Sequence, residues 1–125
     1  MKTLLITKSA VEVLAGLAVL LSPSTVLSLA LGVHLELPLV FVLARFAGVV
    51  LFAVGIACWM LRNHSQSRGA IGLIVALLVY DLSVVTLLLF AHLAAHLSGI
   101  VLWPVVFLHS GLAAWSLLCL REKLR

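Results

Sequence analysis

Arg45, Asp81 and His109 are the residues with the most chemical consequence in this chain, because each is ionisable and each lies well inside a long apolar run. If those runs cross a bilayer, a charge near mid-depth costs about 3 kcal/mol and is normally paired or lines a cavity. Counted at about 1.5 Å per helical residue from the outer ends of the runs, Arg45 lies about 10 Å deep, His109 about 14 Å and Asp81 about 18 Å. The reach of an arginine side chain along its helix predicts an Arg45–Asp81 pair with His109 alongside. Such a group can bind or relay a proton or a small ion. The plainer reading is that it ties helices together and sets their register.

Glu12 is a further ion-site candidate. Lys8 stands four residues before it, one helical turn away, so its default role is a local ion pair near the headgroups. His92 and His96 have the i, i+4 spacing that sets two imidazoles on one helix face. With His34 and Glu36, in a loop on the same side of the membrane, they offer ligands for zinc or copper. A haem held between His92 and His109 is the other cofactor this donor set admits. Cys58 and Cys119 belong to no C-x-x-C pair and read as small apolar packing residues.

The elements that must carry these residues follow from composition. The chain has 125 residues, 65% of them hydrophobic and 10% charged, with a mean hydropathy of +1.34. That balance excludes a soluble globular domain. Apolar stretches at about 9–31, 39–61, 70–93 and 100–120 each reach the roughly 20 residues that cross a bilayer core. Backbone amides in hydrocarbon must be bonded within their own segment, and polar and apolar residues do not alternate as in a barrel, so these runs predict helices. The fold class is all-α, a single integral membrane domain over residues 1–125 with four transmembrane helices. Pro23 predicts that the first span is kinked or split there.

Two helical stripes aim the polar residues inward. Asp81, Val85, Leu88 and His92 share a face of the third span, with His96 a turn beyond, and Arg45, Gly48, Phe52, Gly55 and Trp59 share one on the second. The two glycines on the latter invite a close backbone approach.

Orientation follows from the cations. Lys2 and Lys8 precede the first span, Arg62 and Arg68 separate the second and third, and Arg121, Lys123 and Arg125 follow the fourth. The remaining loops contain none, so both termini are expected in the cytoplasm. Lys8 interrupts the apolar start, and no small-x-small cleavage pattern follows, so a cleaved signal peptide is not expected. The formal charge of +4 reflects topology and contact with anionic lipid; a nucleic-acid partner is not expected, since no basic face remains to track phosphates.

The Leu43-Ala44-Arg45-Phe46-Ala47-Gly48 segment, with Phe52-Ala53-Val54-Gly55, Leu102-Trp103-Pro104 and Leu108-His109, resembles small four-helix bacterial membrane proteins of the DoxX-like group. The resemblance implies a four-span architecture in a bacterial inner membrane and brings no settled activity. The reading that follows is a small scaffold or accessory subunit, more a binding protein than an enzyme. It would associate with itself as a homo-oligomer or with a larger membrane complex. The alternatives are a small-solute or proton carrier or channel using Arg45, Asp81 and His109, and a haem- or quinone-binding anchor.

Overall fold

The computed structural model of the chain describes residues 1–34 and 37–124. Helix α1 runs Lys2–Leu21, α2 Pro23–Leu31, α3 Pro38–Leu61, α4 Arg68–Ala95 and α5 Leu102–Leu124, with a 3-10 turn at Arg62–His64 after α3. Helices α1, α3, α4 and α5 are each long and apolar enough to cross a membrane. The nine residues of α2 rise only about 14 Å and cannot.

Helix boundaries follow local chemistry. Pro23 and Pro38 occupy the first positions of α2 and α3, where a missing amide hydrogen costs nothing. Leu37, ahead of Pro38, takes the extended conformation that proline imposes on its predecessor. The first apolar run is split: Ser22 leaves helical geometry between α1 and α2. The Ser67 hydroxyl caps α4 by accepting a hydrogen bond from the Ala70 amide at 3.2 Å. At the other end of α4, His96 turns left-handed at φ 55°, and the Leu97 amide donates to the Ala91 carbonyl at 3.0 Å.

Between lipid-bathed helices there is little hydrophobic drive to associate, so close backbone approach and polar links must hold them. The bundle uses both. Helix α1 packs along α3, and α4 along α5, giving two hairpins. In the first, Gly16, Gly48 and Gly55 bring the backbones together. A Cβ at Gly16 would lie 2.6 Å from the Phe52 nitrogen, and one at Gly48 would lie 2.8 Å from the Gly16 oxygen.

The hairpins meet at both ends. At one end, Leu4 and Leu5 of α1, Cys58 of α3, Ala70, Ile74 and Leu77 of α4, and Cys119 of α5 form a buried apolar cluster. Both described chain ends lie here: Met1 packs on that cluster, and the Lys123 ammonium donates to the Gln66 carbonyl at 2.8 Å. At the far end, the Gly99 and Val101 amides donate to the Ala30 and Leu29 carbonyls at 3.2 and 3.0 Å. They satisfy carbonyls that the end of α2 leaves open. Only glycine fits at position 99, because a Cβ there would collide with the Leu29 and Ala30 backbone.

Large apolar side chains such as Leu14, Phe46, Phe90 and Phe107, one on each of the four long helices, are about two-thirds exposed. An apolar periphery of that extent is the solvent boundary of a protein dissolved in lipid.

Candidate functional site

A cluster of ionisable side chains occupies the space between the two hairpins. It begins with α1, whose buried face is Leu4, Leu5, Lys8, Ser9, Glu12 and Gly16. That set repeats every three to four residues, the period of one helix face. The buried stripe of α4 is Ala70, Ile74, Leu77 and Asp81, and α5 contributes Val106, His109, Ala113 and Ser116. Three regular helices thus point Lys8, Glu12, Asp81 and His109 inward.

Lys8 and Asp81 are completely buried and form an ion pair. The other Asp81 oxygen, Oδ1, lies 2.9 Å from His109 Nδ1. Asp81 therefore joins α1, α4 and α5 at one carboxylate. The Tyr80 ring stands edge-on to His109 at 5.5 Å between centroids. Lys8 is about 9 Å along its helix and Asp81 about 20 Å along α4 from the same end of the bundle. The Lys8 ammonium therefore reaches toward mid-membrane rather than back to the nearer headgroups, the reverse of snorkelling.

Glu12 differs from its neighbours. It is 1% exposed, and among the described residues neither carboxylate oxygen has a well-formed hydrogen bond, although Tyr80 stands beside it. It lines a cavity of about 240 Å³ together with Tyr80 and six apolar residues, among them Val50 and Val54 of α3 and Leu73 and Ala76 of α4. Val50 and Ala76 are exposed, so the cavity opens sideways between α3 and α4 toward the lipid-facing surface.

The cation at Asp81 is Lys8, not the expected Arg45. Arg45 is exposed on α3, while Gly48 and Gly55 face α1. The buried residues of α3 are Gly48, Gly55 and Cys58, and Arg45 falls outside that packed face. Asp81 and His109 do come together. The expected pairing of Glu12 with Lys8 is not made, since Lys8 is bonded to Asp81. Lys8 also lies inside α1, which begins at Lys2 rather than near residue 9.

The histidines of the proposed metal site have separate surroundings. The left-handed turn at His96 takes it off the α4 stripe, and it is exposed, as is His34. His92 packs edge-on against Trp103 at 5.4 Å, with Nδ1 3.4 Å from the Leu97 carbonyl. Glu36 lies outside the described residues. Among the described residues, no group of three or more His, Cys, Asp or Glu is placed to hold a metal ion. Cys58 and Cys119 are free thiols, both in the buried apolar cluster.

Fold and site together define a multi-pass α-helical membrane protein with a buried ionisable centre. Comparison with protein-family models, with curated proteins and with solved structures finds no match to this chain.

Proposed function

We propose that this protein is a small membrane carrier that binds a proton, or a small cation in the proton's place, at the Lys8–Glu12–Asp81–His109 cluster. The unpartnered Glu12 carries the reading. A network serving only to glue helices has each buried polar group bonded, because an unsatisfied one costs about 1 to 3 kcal/mol and more when charged. Charge counting gives the same direction. Lys8 balances one of the two carboxylates, and the second needs one more positive charge, which is either a proton on Glu12 or His109 or an incoming cation. Leaving that charge uncompensated in the membrane interior costs several kcal/mol. In this reading the cationic end of the bundle, with Lys2, Arg62, Arg68 and Lys123, faces the cytoplasm of a bacterial cell.

The test is proton flux in vesicles containing the purified protein, with a pH-sensitive dye inside and the membrane potential clamped. Wild-type protein should move protons faster than protein-free vesicles, and Glu12→Gln should lower that flux at least tenfold. Wild-type flux no greater than that of protein-free vesicles would overturn the carrier reading.

The Lys8–Asp81 bond favours a second reading, since it joins the two hairpins and serves a scaffold or accessory subunit equally well. In that case Asp81→Asn destabilises the fold, Glu12→Gln is silent in every transport assay, and a larger complex co-purifies from native membrane.

A further inference from the structure

We propose that the cavity between α3 and α4 is a binding site for a membrane-dissolved organic amine, whose ammonium group pairs with Glu12 while its hydrocarbon part fills the apolar lining. The inference rests on the carrier reading and names the class of cation that the cluster accepts.

Four features of the site select this ligand. The cavity's exposed lining is wholly apolar, with the Glu12 and Tyr80 oxygens covered behind it, so a hydrated inorganic cation would have to shed its water against hydrocarbon. Its volume of about 240 Å³ suits a short alkyl chain. It opens between Val50 and Ala76, both exposed on the lipid-facing surface, so a ligand already partitioned into the bilayer enters without crossing water. The acceptor lies behind that lining, a carboxylate to which no described residue donates a well-formed hydrogen bond. That carboxylate is covered, and Tyr80 is the polar side chain beside it on the cavity wall, so the Tyr80 ring swings aside as the ammonium enters.

Charge conservation sets the stoichiometry. The groups around Glu12 are Lys8 on its own helix, Cys58 on α3, Tyr80 and Asp81 on α4 and His109 on α5. Lys8 and Asp81 cancel as an ion pair. The proton that compensates the Glu12 charge, held on Glu12 itself or on His109, leaves to solvent when the ammonium arrives. One proton is released for each amine bound, with no change in the net charge of the site.

The experiment adds hexylammonium chloride to the protein in lipid nanodiscs in weakly buffered solution and follows proton release with an indicator dye, with empty nanodiscs as the blank. Saturable release approaching one proton per protein is expected. Glu12→Gln should abolish it, and Ala76→Phe, which narrows the mouth of the cavity, should weaken amine binding at least tenfold. Release no greater than that of empty nanodiscs, or an unchanged response in Glu12→Gln or Ala76→Phe, overturns the amine site. Proton flux in amine-free vesicles is read separately, so failure of the amine site and failure of the carrier reading are distinguishable.

Discussion

The seam inside the first hairpin and the seam between the hairpins are built on opposite principles. Between α1 and α3, glycines remove side chains so that backbone meets backbone. Between the hairpins, by contrast, lie Lys8, Glu12, Asp81 and His109, together with a cavity that opens to the membrane. Close-packed glycine contacts have little freedom to rearrange, whereas side chains bonded across a gap can exchange partners. The difference places rigidity within the hairpin and adaptability between hairpins, where a bound proton or cation can act.

Four substitutions break or sharpen that contrast. Lys8→Met strips Asp81 of its cation and should cost about 3 to 5 kcal/mol of stability, the usual penalty for breaking a buried pair. Reversible unfolding in mixed detergents measures it, and the Lys8→Met/Asp81→Leu double variant should recover much of the loss. Gly48→Ala tests the other seam, because its new methyl meets the Gly16 and Leu20 backbone, which cannot swing aside. A cost of about 1 to 3 kcal/mol is expected from overpacking, and an unchanged melting temperature would show that the helices part easily. Glu12→Gln should change stability by no more than about 1 kcal/mol, because among the described residues Glu12 makes no well-formed hydrogen bond. A large loss of stability would make Glu12 structural and move the adaptable part of the seam elsewhere. Arg45→Leu, on the exposed face of α3, should fall within about 0.5 kcal/mol and leave vesicle proton flux intact.

The four long helices were legible because apolar runs near 20 residues in length have one stable form in hydrocarbon, and Pro23 marked the break between α1 and α2. Asp81 and His109 were legible as interior residues because both sit far from any polar flank. Lys8 was harder to place, since a lysine near the start of an apolar run reads as a flanking cation. Its burial was nevertheless written in the spacing of Leu4, Leu5, Lys8, Ser9, Glu12 and Gly16, which continues one helix face through the lysine. Arg45 misled for the converse reason. Depth along a helix can be counted from a sequence, but the angle a residue presents depends on which face packs, and on α3 the glycines decided that. The cavity had no sequence signature, because it arises from the sparse contact between α3 and α4. The His96 turn likewise could not be read from an i, i+4 spacing, which assumes that the helix continues.

The account turns on whether the seam between the hairpins holds one dissociable proton in the environment of Glu12. Infrared difference spectroscopy of the protein in lipid, titrated across the range where it stays folded, addresses this directly. The account predicts a change in the carboxyl bands that is lost in Glu12→Gln and shifted in His109→Gln. Spectra in which Glu12→Gln titrates identically to wild type would contradict it.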